Sequence, residues 1–345
     1  MMNFDKNVKD MILASNDMGL FSGKTGACIY SYCNPDAKNS ESVFNEKLGD
    51  DLIDEIFEKV GHLKNMNVTH GLSGVGLGLM YMMKKSYVAG NPDKVLKMLD
   101  DTIYRNIAFM DKSSMLDIGD LIEIIFYLCT RLKYGMKKQL DRYIFTELAI
   151  KLSDHVYYRK DNAFFDEVYP YTIYNKGAMF LLATCKMYEL GIHCGRILKI
   201  WEEIKHRLFQ HVFYTQAGRL LMLLVVSKVA VLCKDKDWIM YSSFLRDHFS
   251  WEKLVGNEYK DRQVFFTDGL AGSFLIAECY NRISYDSKIE IDYAYVYKRL
   301  FESDIWRDYG NKEMTCRNGL DGYLGIKLLL SYMMKKGGFI NETYS

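Results

Sequence analysis

Proline is nearly missing from this chain, with three in 345 residues. Proline breaks helix interiors, so its scarcity leaves the way open to long, uninterrupted helices. Charge imbalance is missing as well: 45 Lys plus Arg stand against 44 Asp plus Glu, a net charge of +1. Nothing electrostatic therefore points to nucleic acid or a membrane surface as partner. Alternating strand patterns are lacking too, and only residues 163–174 are expected to be locally extended. The opening Met1-Met2-Asn3-Phe4-Asp5-Lys6 has no apolar leader core, and the longest apolar run, 220–233, is broken by Lys228. Neither a signal peptide nor a membrane span is expected, and the cytoplasm is the expected location. Cysteine shows no metal-like spacing. The eight thiols, at 28, 33, 129, 185, 194, 233, 279 and 316, sit mostly in apolar helical stretches and are expected to be reduced core residues.

What the chain does have is glycine in pairs. Thr69-His70-Gly71-Leu72-Ser73-Gly74 runs straight into an apolar pattern in which Leu77, Met80 and Tyr81 share one helix face. Gly23-Lys24-Thr25-Gly26, Gly269-Leu270-Ala271-Gly272 and Gly319-Leu320-Asp321-Gly322 repeat the turn, while Gly119, Gly177 and Gly218 mark weaker copies. The second-glycine positions fall at 26, 74, 122, 177, 218, 272 and 322, a seven-fold recurrence at intervals of 41 to 55 residues.

Between these turns lie amphipathic patterns at 4–14, 45–63, 92–110, 137–157, 195–210, 235–249 and 289–302, each with one apolar stripe. The glycine-led segments, such as 179–188 and 220–232, are apolar nearly all round and so are expected to be buried. Seven half-exposed helices alternating with seven buried ones imply an all-α fold. It is expected to be an α/α toroid, a double barrel of seven hairpins spanning 1–345 as one domain, with inner helices led by glycine turns. Two long aromatic loops, 156–173 and 250–266, precede glycine turns and are expected over the same end, as substrate or partner contacts or as a packed lid.

The residue before the first glycine of each turn is expected at the mouth: Ser22, His70, Ile118, Ile173, Tyr214, Asp268 and Asn318. Converging helix N-termini would favour an anion or thiolate there. His70 is a candidate general base or a simple cap, and Asp268 a candidate catalytic group or an N-cap. Gly19-Leu20-Phe21-Ser22-Gly23-Lys24-Thr25 is one residue short of a P-loop and follows no buried strand, so no phosphate cradle is expected.

The repeated glycine turns, best seen in His70-Gly71-Leu72-Ser73-Gly74, Asp268-Gly269-Leu270-Ala271-Gly272 and Asn318-Gly319-Leu320-Asp321-Gly322-Tyr323-Leu324-Gly325-Ile326, resemble the lanthionine synthetase C-like family over about residues 19–336. That resemblance implies lantibiotic-type peptide modification, in which a cysteine thiol adds to a dehydroamino acid with zinc holding the thiolate. At the positions matching the zinc ligands this chain carries Phe213, Thr267 and Asp268, and Ile173 replaces a family histidine. No metal ligand set and no cofactor is therefore expected. A compensating set of His70, Asp268 and Cys316 would need turns two, six and seven to meet.

The resemblance implies a peptide substrate or precursor and a partner dehydratase or other maturation enzyme. Expected catalytic residues are His70 and Asp268, and expected substrate contacts are Ser22, Tyr214, Thr267, Arg317 and Asn318. The alternatives are a non-catalytic peptide-binding scaffold and, more weakly, a carbohydrate-active toroid enzyme, which would need paired carboxylates at the mouth.

Overall fold

The computed structural model describes residues 2–110, 116–134, 136–161, 163–166, 174–284, 287–307 and 318–337, and among these it is helical without strands. The longer helices alternate in kind along the chain. The odd-numbered ones are α1 (Met2–Ala14), α3 (Glu46–Lys59), α5 (Lys97–Ala108), α7 (Gln139–Arg159), α9 (Cys194–Gln210), α11 (Lys236–Asp247) and α13 (Tyr293–Phe301). The even-numbered ones are α2 (Lys24–Cys33), α4 (Leu72–Lys84), α6 (Ile118–Lys133), α8 (Lys176–Glu189), α10 (Gln216–Cys233), α12 (Leu270–Ile283) and α14 (Tyr323–Gly337).

The alternation follows from side-chain pattern. In α3, Leu48, Leu52, Ile53 and Ile56 form one buried stripe, and Asn45 caps the helix by accepting from the Leu48 amide at 2.9 Å. In α10 every residue from Gln216 to Ala230 except Arg219 and Lys228 is buried. α10 is long and apolar enough to cross a membrane by length and composition, yet 67% of it is buried by protein here, packed against α8, α11 and α12.

Contacts cluster into two units, Met1–Leu148 with Asp304–Ser345, and Ala149–Ser303. In the first, α2 lies between α14 and α4, and α4 packs on α6, while α1 and α3 cover α2. In the second, α10 lies between α8 and α12, with α9, α11 and α13 covering α8, α10 and α12 in turn. Each even helix thus packs on at least one other even helix, and α2, α4, α8, α10 and α12 each have an amphipathic partner as well.

Buried charges tie the first unit together. Lys24, 1% exposed, donates from Nζ to both Glu55 carboxylate oxygens at 2.6 Å and to the Leu13 carbonyl at 3.1 Å, linking α2 to α3 and α1. Burial pushes the Glu55 carboxyl up, but Lys24 and Lys59 outweigh it and hold the group below its ordinary range. Arg131 of α6 is likewise buried and pairs with Asp100 of α5 at 3.0 Å and Asp93 at 2.8 Å.

Several expectations are corrected. The 92–110 pattern forms two pieces, a short turn Pro92–Val95 and then α5, because Leu96 sits between them at φ −90°, ψ 0°. Residues 163–166 turn instead of extending, with the Asp166 amide donating to the Ala163 carbonyl at 3.0 Å. The 250–266 connection holds helical turns at Trp251–Lys253 and Leu254–Glu258. None of the seven described cysteines is in a disulfide; Cys28, Cys129 and Cys185 are buried, whereas Cys279 is exposed on α12.

Candidate functional site

An α-helix leaves its first amides without intrahelical acceptors, and the way each even helix solves this builds its turn. At α4 the amides of Leu72, Ser73 and Gly74 donate to the carbonyls of Asn65, Met66 and Asn67 at 3.0, 3.3 and 3.3 Å. At α12 those of Leu270, Ala271 and Gly272 donate to Gln263, Val264 and Phe265 at 3.0, 3.1 and 3.3 Å, the same plan two hundred residues on. At α2 the Lys24 amide reaches the Asp17 carbonyl at 2.9 Å, again seven residues back. Gly23, Gly71 and Gly269 occupy the N-cap positions in extended backbone, with no side-chain cap.

Neighbouring turns of the first unit are stitched by backbone. The Leu20 amide donates to Val68 and that of Ser22 to Thr69, at 3.2 and 3.4 Å; Leu320 donates to Leu20 and Asp321 to Phe21, at 3.2 and 2.8 Å. This ladder aligns Asp321 with Ser22 and His70. The seventh turn is therefore Gly322-Tyr323-Leu324-Gly325, three residues later than the sequence suggests, and α14 begins at Tyr323. Asn318 is displaced from the mouth position; it is buried, and its side-chain oxygen has no hydrogen-bond partner. The third and fourth turns shift as well, because their N-caps are Asp117 and Asn175: the mouth positions become Leu116 and Tyr174 in place of Ile118 and Ile173. Ile173, Cys316 and Arg317 lie outside the described residues.

Ser22 and His70 are brought together, and with them Asp17, which the sequence reading missed. The Ser22 hydroxyl lies 2.6 Å from His70 Nδ1, 2.7 Å from Asp17 Oδ2 and 3.0 Å from the Thr69 carbonyl. His70 Nδ1 is 2.5 Å from the same Asp17 oxygen, while Asp17 Oδ1 accepts from the Gly19 amide at 2.8 Å. With a carboxylate and a hydroxyl both against Nδ1, that nitrogen carries the hydrogen, which leaves Nε2 with a lone pair in neutral imidazole. The His70 side chain is 48% exposed, and Nε2 has no partner among the described residues. The arrangement is a half-exposed base oriented from behind by a carboxylate, able to take or return a proton. Its side chain does not cap α4.

Beneath the cluster, Glu123 of α6 accepts from the Val68 amide at 2.5 Å. Burial, aided by Asp120, raises the Glu123 carboxyl above its usual range despite the opposing Val68 and Thr69 amides and His70. Asp17 could have been found from sequence by one signal: it stands six residues before an N-cap glycine, as do the polar Asn65 and Gln263.

Tyr214, Thr267 and Asp268 belong to the second unit. Tyr214 is 84% exposed at the head of α10, and Thr267 and Asp268 are half-buried at the head of α12. Asp268 is not the N-cap, since Gly269 holds that place and backbone carbonyls take the amides of α12. The expected anion-attracting helix ends are also corrected. The amides of α4 and α12 are spent internally, and at α10 Glu258 already supplies the anion, accepting from Gln216 at 2.5 Å and Ala217 at 3.1 Å.

The residues at the zinc-matching positions do not fit zinc. Phe213 is a buried phenyl ring packed edge-on against His211 at 4.8 Å, and Thr267 and Asp268 offer oxygen alone. Among the described residues no three His, Cys, Asp or Glu side chains are grouped to hold a metal. No protein-family model matches this chain, and no curated protein matches it.

Proposed function

We propose that this chain is a lanthionine synthetase C-like protein of a peptide-maturation system, built as one α/α toroid over 1–345. It binds a dehydrated peptide over the glycine-turn end of its even helices. Two features support the toroid: odd and even helices alternate, and α14, the last repeat, packs beside α2, the first. The observation that carries the catalytic part is the Asp17–His70 pair with Nε2 left open beside Ser22.

In this reading His70 Nε2 takes the proton of a peptide cysteine as its sulfur bonds to Cβ of a dehydroalanine or dehydrobutyrine. The same proton is returned to Cα, so the double bond is consumed and no atom is gained or lost. Asp17 holds the ring and balances the transient imidazolium. Exposed Tyr214 and half-buried Thr267 and Asp268 serve as peptide contacts, and buried Asn318 is withdrawn from that role. The partner is the enzyme that dehydrates the peptide, and the setting is cytoplasmic.

The test is incubation with a dehydrated, cysteine-bearing peptide, reading loss of alkylatable thiol at constant mass. Wild type should consume thiol, and His70→Asn should slow it by about a hundredfold or more. Equal rates in the two would remove His70 from the chemistry. The second reading, a non-catalytic scaffold, is favoured by the phenyl ring of Phe213 where a thiolate would be needed. It predicts saturable peptide binding with no thiol loss.

A further inference from the structure

The second unit carries a cavity of about 370 Å³ at the end of α10 and α12 opposite their glycine turns. Its polar wall includes Ser227, Lys234, Ser242, Arg246, Tyr280 and Ser287, and no carboxylate lines it among the described residues. Ser227 and Ser242 lie 2.6 Å apart through their hydroxyls, and Arg246 Nη1 donates to Ser287 at 2.5 Å. Nε and Nη2 of Arg246 go to Asp247 at 3.0 and 2.7 Å, so that charge is balanced.

Lys234 is different. It follows the last residue of α10 in left-handed backbone, φ +56°, a place where glycine is the usual residue. Its Nζ has no hydrogen bond or ion pair among the described residues, and its chain lines the cavity. Beside it the apolar wall, Val231 and Ile239, stands 58% and 49% exposed. An exposed cation with no anion partner among the described residues, a row of hydroxyls and an uncovered apolar wall share one pocket.

We infer that this pocket binds a small phosphate monoester with an apolar body. The phosphate oxygens meet Lys234 and the serine hydroxyls, and the body covers Val231 and Ile239. The site is independent of the glycine-turn end and of any activity there.

Phenyl phosphate is the probe, titrated into the full-length chain by calorimetry, with phenol and inorganic phosphate as comparators. Phenyl phosphate should bind saturably, and each comparator about tenfold or more weakly. Lys234→Gly should weaken phenyl phosphate about tenfold without lowering the melting temperature, because glycine suits that backbone. Lys234→Asn, also tolerant of left-handed backbone, should behave alike. Unsaturable binding, phenol binding as tightly as phenyl phosphate, or unchanged affinity in both variants would each overturn the assignment.

Discussion

Two sets of even helices solve the same problem differently. In α2, α4 and α12 the N-cap is glycine, and the leading amides turn back onto the preceding loop. In α6, α8 and α10 the N-caps are Asp117, Asn175 and Thr215, whose side chains accept from Gly119, Ala178 and Gly218 at 2.7, 2.9 and 3.0 Å. The glycines of the first set are not there for left-handed backbone, since Gly23, Gly71 and Gly269 all have negative φ. They are there because neighbouring backbone comes too close for a side chain. What recurs along the chain is thus a hydrogen-bonding plan, with glycine as one of two ways to carry it out.

The sharpest break in that comparison is Gly74→Ala. A Cβ there would sit 1.9 Å from the Val68 carbonyl oxygen and 3.0 Å from the Leu20 nitrogen, and backbone cannot swing away as a side chain can. The ladder beside Ser22 would have to open, at a cost of about 3 kcal/mol or more in urea unfolding. Gly195 of α9 has nothing within 4 Å of such a Cβ. Gly195→Ala should be neutral or stabilising by about 0.5–1 kcal/mol. If Gly74→Ala unfolds with wild type, the close approach of the turns is wrong.

The capped set should break at its anion. Glu258→Ala removes the carboxylate that holds the Gln216 and Ala217 amides and should cost about 2–3 kcal/mol. Thr215→Ala removes one neutral cap on the same helix and should cost about 1 kcal/mol. Equal costs for the two would mean that the charge of Glu258 contributes nothing beyond a plain cap.

Helix content and the alternation of half-exposed with buried helices were legible because a 3.6-residue pattern is written in side chains. The starts of the turns were less so. Counting glycines placed the seventh turn at Gly319, whereas backbone pairing of Leu320 and Asp321 with Leu20 and Phe21 places it at Gly322. Both spacings satisfy a Gly-x-x-Gly pattern, and only the contact with the first turn decides between them. His70 and Ser22 were found because they precede glycine pairs. Asp17 was not, because its partner is 53 residues away and its one local mark is a place six residues before an N-cap glycine, which acts through a main-chain carbonyl and accepts Asp, Asn or Gln alike. Capping by Asp268 failed for a related reason: acceptors in the preceding loop had already taken the amides.

The finest test joins the two sets, because Glu123 belongs to a side-chain-capped helix yet accepts from Val68 in a glycine-headed turn. Burial raises its carboxyl in the folded state above the unfolded value, so folding favours the protonated form. Wild type therefore loses stability as pH rises from the ordinary glutamate range through the raised folded value, and the loss is complete above it. Glu123→Gln keeps an oxygen for the Val68 amide and does not titrate. Its melting temperature relative to wild type should climb across that window and stay level on either side, a change of less than about 1 kcal/mol. Melting curves collected from pH 4 to 8 follow it. A difference that is flat throughout would mean that the Val68 and Thr69 amides and His70 offset the burial of Glu123 in full and that its carboxyl is not raised.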